Sequence, residues 1–123
     1  MSPSKGFSPY VPRPATLVKK EELSEFVTLF EFENDNQRPL AHKPGQFVMV
    51  SMYGLGEAPF SISSAPQREQ NRFELAVRKI GVVTSAMHAM KVGDKIGVRG
   101  PYGSFFPVQN FIGKDTLFVA GGL

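Results

Sequence analysis

The stretch Glu57-Ala58-Pro59-Phe60-Ser61-Ile62-Ser63-Ser64 is the most informative part of this chain. Its side chains alternate, so a strand would carry Phe60 and Ile62 on one face and Ser61 and Ser63 on the other. The proline favours the start or edge of a strand. An aromatic ring beside short hydroxyls suits a planar, heteroatom-rich ligand. The alternative is an ordinary half-buried strand with a wet polar face, which this stretch alone favours.

Length and composition indicate one small globular domain. The 123 residues are 41% hydrophobic and 20% charged, the net charge is +3, and there are no cysteines. A cysteine-free chain has no disulfide, no thiolate metal site and no iron–sulfur cluster of its own. His42 and His88 are too far apart in sequence for a typical ligand pair, so we predict no metal site. Without an apolar run of ~20 residues or a signal sequence, we expect a cytoplasmic protein without a membrane span.

The pattern along the chain predicts an all-β fold, a six-stranded antiparallel Greek-key barrel with one short helix. Four prolines make residues 1–14 an extended arm that cannot form a central strand. A helix is predicted over residues 84–90, with Thr84 or Ser85 as its cap. The predicted strands cover residues 15–20, 25–33 (with Phe26, Thr28, Phe30 and Phe32 on one face), 46–52, 57–64, 72–79 and 95–99, followed by a further strand over residues 116–120.

Two later segments could belong to the same site as the Phe60 strand. In the first, Arg78-Lys79-Ile80-Gly81 leads from a strand into the helix that begins near Thr84. The amino end of a helix presents unpaired N–H groups that suit a phosphate, and a glycine lets a ligand approach the backbone. In the second, Gly100-Pro101-Tyr102-Gly103 predicts a tight turn ahead of two aromatic residues. Taken alone, the first segment is a weak signal that an ordinary capped helix also explains, and the second is better explained as a turn with a hydrophobic plug.

Together, in this order, the segments resemble the flavin-binding domain of ferredoxin–NADP⁺ reductase-like proteins. That family pattern is Arg-x-Tyr/Phe-Ser, Gly-x-x-Ser/Thr at a helix start, Gly-Pro-x-Gly, and a strand ending in Gly-Gly. The matching segments here are Ala58-Pro59-Phe60-Ser61, Gly81-Val82-Val83-Thr84, Gly100-Pro101-Tyr102-Gly103 and Phe118-Val119-Ala120-Gly121-Gly122. The form around Phe60 is most similar to hydrogenase, sulfhydrogenase (gamma-type) and anaerobic sulfite reductase flavin subunits, with dihydroorotate dehydrogenase electron-transfer subunits as near neighbours.

The resemblance implies FAD as cofactor. It implies that Phe60 lies against the isoalloxazine ring and that Ser61, the catalytic residue, hydrogen-bonds near the reactive N5 of the flavin. Val77, Arg78 and Lys79 would line the ribityl and pyrophosphate path, and Gly81, Val83, Thr84 and Ser85 would meet the pyrophosphate. The full set of cofactor-binding residues implied is Pro59, Phe60, Ser61, Ile62, Val77, Arg78, Lys79, Gly81, Val83, Thr84 and Ser85.

One position departs from the family pattern, because Ala58 stands where the family has an arginine that pairs with the pyrophosphate. Other groups must then meet the two phosphate charges. The candidates are the N–H groups and hydroxyls at the helix start and the side chains of Arg78 and Lys79. We expect the helix start to carry this role, because its donors are already fixed.

The resemblance also implies a division of the chain and a role for the whole protein. Residues 1–14 are the arm, residues 15–112 the FAD-binding barrel, and residues 113–123 the first strand of a nicotinamide-binding domain that the chain lacks. The full-length parent would be an NAD(P)H-dependent flavin oxidoreductase passing electrons to an iron–sulfur or hydrogenase-type subunit, whereas this fragment alone would be inactive. The alternative is a cofactor-free barrel that binds protein or nucleic acid, suggested by a pI of about 9.3; against nucleic acid, we find no basic face with interleaved aromatics.

Overall fold

A computed structural model describes residues 11–66 and 70–122 of the chain. Six antiparallel strands form one sheet in the order β4-β3-β6-β1-β2-β5, and one short helix connects β5 to β6. This confirms the predicted all-β architecture. The elements are β1 (Arg13–Glu22), β2 (Val27–Asn34), β3 (Phe47–Met52), β4 (Gly56–Ser61), β5 (Arg72–Arg78), α1 (Val82–His88), β6 (Lys95–Tyr102) and a 3₁₀ helix (Val108–Phe111).

The sheet has two edges, β4 and β5, and within the described residues no ladder joins them. Each is paired on one side only, β4 with β3 and β5 with β2. The chain passes directly from β4 to β5, so the two edges are neighbours in sequence and approach each other in space. The expected barrel is therefore open along one line, which we call the seam.

Alternating side chains build the core. On β2 the side chains of Thr28, Phe30 and Phe32 are buried, as the alternation predicts. Phe26, predicted to share that face, lies just before the strand and is 51% exposed. The rings of Phe30 and Phe32 stack at 6.0 Å, and Phe73 of β5 continues the stack at 5.7 Å from Phe32. The remaining core side chains are Ala15, Leu17, Leu40, Val48, Val50, Leu75, Val77, Met87, Met90, Ile96 and Val98.

The start of β1 corrects the predicted arm. Arg13 and Pro14 belong to β1, which is a central strand between β6 and β2, and Pro14 pairs with Gly97. Proline is tolerated there because it is among the first residues of the strand. The arm prediction for residues 1–10 lies outside the described residues.

Two further predictions at the carboxyl end are wrong. The segment Gly100-Pro101-Tyr102 continues β6 instead of forming a tight turn, because Phe47 of β3 pairs with Tyr102. Residues 116–120 do not form a strand. Leu117 and Val119 are 86% and 87% exposed, so apolar composition alone did not produce a strand where no partner strand lies alongside.

An ion pair crosses the outer face of the β4-β3-β6 part of the sheet. The Arg99 guanidinium on β6 donates to both carboxylate oxygens of Glu57 on β4, at 2.6 and 2.8 Å. The Ser51 hydroxyl on the intervening β3 also donates to Glu57, at 3.0 Å. The Arg99 hydrogen bonds hold the pKa of the Glu57 carboxyl below its ordinary value, with burial opposing them and Ser51 reinforcing them.

We expect Phe32→Ala to lower the free energy of unfolding by about 3–5 kcal/mol, since it empties the centre of the aromatic stack. Phe26→Ala is the matched control at the start of the same strand, and it should cost only about 0.5 kcal/mol because that ring is half exposed. Urea unfolding of both variants measures the difference. Equal losses would show that β2 does not bury the face that carries Phe32.

The ion pair predicts a pH dependence of stability. The folded-state pKa of Glu57 is lowered, so its contribution is present above the unfolded pKa and is lost as the pH falls through the folded pKa. In Glu57→Gln the drop in unfolding free energy between pH 7 and pH 3 should therefore be smaller than in the parent. Chemical denaturation at both pH values tests this, with the exposed Glu25→Gln as control; an identical drop in parent and Glu57→Gln would contradict it.

Candidate functional site

Two serine hydroxyls close the seam at one end. The Ser63 N–H donates to the Glu74 carbonyl at 2.8 Å, as in an ordinary ladder. The other two contacts use side chains, because the Glu74 N–H donates to the Ser64 hydroxyl at 2.9 Å and the Ala76 N–H to the Ser63 hydroxyl at 3.1 Å. The two hydroxyls take the place of backbone carbonyls as acceptors for the N–H groups of β5. Ser63 was predicted to lie on the face suited to a ligand, whereas Ser64 was not.

Pro59 contributes to the lack of pairing along the open part of the seam. Backbone N–H groups alternate between the two sides of a strand. The Ile62 N–H faces β3, where it donates to Gln46, and the Ser63 N–H faces β5. The same alternation directs the Ser61 N–H and the Pro59 nitrogen toward β5. Proline has no N–H to donate, so Pro59 removes one of the hydrogen bonds that a longer ladder between β4 and β5 would use.

A groove of about 370 Å³ lies along the open part of the seam. That volume falls within the range of small-molecule sites. One wall is β4 and the other is the end of β5, with the chain entering α1 beyond them. The lining residues are Pro59, Phe60, Ser61, Ser63, Ala76, Arg78, Ile80 and Thr84.

The groove brings together five of the residues implicated by the sequence, namely Pro59, Phe60, Ser61, Arg78 and Thr84. The other six do not line it: Ile62 and Val83 pack against the core, Val77 is buried in it, and Lys79, Gly81 and Ser85 lie outside the lining. The Val77 side chain is buried and does not line the groove, and its place along the ligand path stays a prediction. The set of residues implied by the resemblance left out Ser63, Ala76 and Ile80. The alternation had already placed Ser63 beside Ser61 among the hydroxyls suited to a ligand, and the alternation of β5 could have indicated Ala76.

The helix begins two residues earlier than predicted, and its cap is Gly81 instead of Thr84 or Ser85. Thr84 is the third helical residue, and its hydroxyl accepts the N–H groups of Gly81 (2.8 Å) and Ile80 (2.9 Å). The same hydroxyl donates to the Gly81 carbonyl at 3.2 Å. Gly81 has no side chain to complete a reciprocal capping box. The Thr84 hydroxyl is thus fully used in fixing the entry to the helix.

The third sequence motif supports the groove without lining it. Tyr102 packs on Phe47 with ring centroids 5.8 Å apart. Gly103 has a φ of +91°, and a Cβ there would lie 2.9 Å from the Phe47 ring. Phe47 is the ladder partner of Ser61 on β3. The glycine therefore allows an aromatic contact that braces the strand end carrying Ser61.

A larger cavity of about 450 Å³ lies at the opposite end of β5. Its lining includes Glu31, Arg72 and Glu74. Arg72 there forms ion pairs with Glu31 and Glu33, each at 3.2 Å. Because none of the residues implicated by the sequence lines this cavity, we assign the site to the smaller groove.

Two other site classes find no support in the described part of the chain. Residues 11–66 and 70–122 contain no group of three histidines or acidic residues placed to hold a metal ion. No helix among them has the length and apolarity needed to cross a membrane.

The chain matches one family along most of its length. The family described as an oxidoreductase FAD-binding domain matches residues 14–106. The gamma subunit of sulfhydrogenase 1 from Pyrococcus furiosus is 42% identical over 119 residues, which cover 94% of this chain and 40% of that protein. A probable dihydroorotate dehydrogenase B (NAD⁺) electron transfer subunit from Methanocaldococcus jannaschii is 42% identical over 104 residues, covering 85% and 36%.

Solved structures share the fold. The NADH-dependent reduced ferredoxin–NADP oxidoreductase, a structure described for flavin-based electron bifurcation, superposes with a TM-score of 0.68 and 27% identity, covering 78% of this chain and 36% of that one. The chain spans about 40% of the length of the sulfhydrogenase subunits it matches.

We expect Thr84→Val to lower the free energy of unfolding by about 1–2 kcal/mol, because it removes the hydroxyl that holds Ile80 and Gly81 at the helix entry. Thr84→Ser keeps that hydroxyl and should stay close to the parent. Thermal or urea unfolding of the two variants provides the comparison, and equal stability of Thr84→Val and Thr84→Ser would contradict this role of the hydroxyl.

Proposed function

The chain belongs to the oxidoreductase FAD-binding domain family, as its motifs suggested, and we propose that it holds the flavin in the groove at the β4–β5 seam. The observation that carries this proposal is the convergence of Phe60, Ser61 and Arg78 on one groove. These residues come from two sequence motifs, and the open seam places them on facing walls.

The groove suits the chemistry of FAD. Phe60 is only partly buried, so one part of its ring packs on the core while the rest remains available to a planar ligand. Ser61 is exposed on the opposite face of the same edge strand, and its N–H is directed into the seam. A ring system lying along the edge of β4 can therefore meet both residues. When bound, the flavin supplies hydride acceptance from a reduced nicotinamide and one-electron release.

Within this site the protein's part is binding and orientation. Phe60 offers an aromatic surface, and Ser61 offers a hydroxyl and an N–H near the edge of the ring. Ser63 and Ala76 keep the closed end of the seam in place through the hydrogen bond between them. Ser61 is the residue we assign to contact with the reactive part of the flavin.

We place this domain in a larger oxidoreductase that moves electrons between NAD(P)H and an iron–sulfur partner. The names of the similar proteins, a sulfhydrogenase gamma subunit and an NAD⁺-linked electron transfer subunit, support this role. The nicotinamide and the iron–sulfur or hydrogenase-type partner would be bound by other parts of that larger oxidoreductase. Residues 113–122 expose Leu117, Phe118 and Val119, which suits packing against a further domain. A cytoplasmic location stays a prediction.

The alternative function, a cofactor-free barrel that binds protein or nucleic acid, is not favoured. Its support was a basic pI, whereas the family match over residues 14–106 describes a flavin-binding domain. The observed groove also lies at a strand edge that carries one aromatic ring instead of a basic face interleaved with aromatics.

We expect Phe60→Leu to weaken FAD binding about two- to tenfold, because aromatic stacking contributes about 0.5–1.5 kcal/mol beyond the apolar area that leucine retains. Quenching of flavin fluorescence on titration of the apo chain measures the affinity. Phe105→Leu replaces an exposed ring outside the groove and should leave the affinity unchanged. Unaltered FAD affinity in a folded Phe60→Leu chain would remove Phe60 from the site, and no flavin binding by the parent would overturn the proposed function.

A further inference from the structure

β5 carries two arginines on one face, and their surroundings differ. Arg72 and Arg78 are six positions apart, so both side chains point away from the core side that holds Phe73, Leu75 and Val77. Arg72 is held between Glu31 and Glu33 of β2. Arg78 lies opposite Val27 in the same ladder. Its guanidinium forms no ion pair or hydrogen bond with any residue of 11–66 or 70–122.

The described lining of the groove offers no negatively charged side chain to the Arg78 guanidinium. Among the described residues that line the groove, Arg78 is the one charged side chain, and no carboxylate faces it there. On the opposite wall, Ala58 of β4 lies two residues before Phe60 and supplies no charge. A cavity with a single unpaired cation attracts an anionic group, because neighbouring anions do not already neutralise that cation.

We propose that Arg78 binds the pyrophosphate of FAD, supplying from β5 the positive charge that β4 lacks at Ala58. This inference rests on the proposed function. It concerns which residue meets the phosphates, and therefore what makes the site prefer FAD over a flavin without phosphate. A guanidinium can donate two parallel hydrogen bonds to phosphate oxygens, which suits this role better than a single ammonium group.

The structure favours Arg78 over the helix start, which was the expectation from sequence. The Thr84 hydroxyl already accepts two N–H groups and donates to a carbonyl, so it has no capacity left for a phosphate. The N–H groups of Ile80 and Gly81 donate to this hydroxyl and are therefore already hydrogen-bonded. The helix itself has seven residues, Val82–His88, and does not line the groove apart from Thr84.

The backbone on both sides of Arg78 is fixed, which limits the entropy lost on binding. Before it, the β5 ladder with β2 runs without interruption, and after it the Lys79 N–H donates to the Phe26 carbonyl at 2.8 Å. Only the side chain must then be ordered when a phosphate binds. Lys79 lies just beyond the end of β5, is exposed, and does not line the groove.

The test compares FAD with riboflavin, which has the same ring system and no phosphate. Both are titrated by fluorescence quenching into the parent chain and into Arg78→Met, Arg72→Met and the double variant Ala58→Arg/Arg78→Met. Loss of a charge-assisted hydrogen bond should weaken FAD about ten- to a hundredfold in Arg78→Met and leave riboflavin unchanged. Arg72→Met, the matched control on the same strand face, should bind both flavins like the parent. Circular dichroism confirms that each variant folds.

The double variant tests whether FAD affinity depends on a positive charge in the groove, whichever of the two strands supplies it. An arginine at Ala58 should restore most of the FAD affinity that Arg78→Met loses, and failure to restore it would overturn the idea that Arg78 stands in for a β4 charge. An unchanged ratio of FAD to riboflavin affinity in Arg78→Met would overturn the assignment of Arg78 while leaving the flavin site intact. If the parent binds neither flavin, the proposed function and this inference both fall.

Discussion

The site depends on a sheet that is one ladder short of a closed barrel. Antiparallel edges that approach each other normally pair along their length, since each unpaired N–H and C=O is costly to bury. Here pairing stops after Ser63 and Ala76, where serine hydroxyls take over from carbonyls as acceptors. Further along β4, Pro59 has no N–H to offer to β5. The groove thus lies where one imino acid and two hydroxyls in a single stretch of chain replace ordinary backbone pairing. The other neighbouring strands of the sheet are joined by antiparallel ladders.

The two walls of the groove are held by different means. The β4 wall is supported by β3, where Phe47 pairs with Ser61. The Phe47 ring packs against Tyr102, and Gly103 leaves room for that ring because it has no side chain. The β5 wall is held by its ladder with β2 and by the Thr84 hydroxyl at the helix entry. A planar ligand between them meets a preorganised surface, which reduces the ordering cost of binding. The Glu57–Arg99 ion pair adds a further link from β4 to β6 on the outer face.

Much of this architecture could be predicted from the sequence, and the failures have identifiable physical reasons. The alternation in Phe60–Ser63 and in β5 correctly gave the faces of both edge strands. Periodicity could not show that Ser63 and Ser64 use their hydroxyls on β5, because that depends on which strand lies alongside. The same limit applies to residues 116–120, which have strand composition and no partner strand. The helix start shows a related limit. A threonine followed by a serine before an apolar run is a usual cap signal, yet Gly81 is the cap and Thr84 bonds backward from the first turn.

Arg78 could be named from the sequence only as one of several cations. Its distinction from Arg72 required knowing that two glutamates of β2 lie beside one arginine and none beside the other.

The open seam that leaves Arg78 available also has a consequence for how the chain behaves before it acquires a cofactor. Two adjacent strand edges with unfilled hydrogen-bonding positions form a template on which a strand from another molecule can add, and this is a common start of aggregation. Pro59 blocks one of those positions on β4, but the β5 edge beyond Ala76 has no such block. A molecule seated in the seam covers both edges at once. Flavin supply during synthesis would then act as a folding safeguard, in addition to providing the redox group.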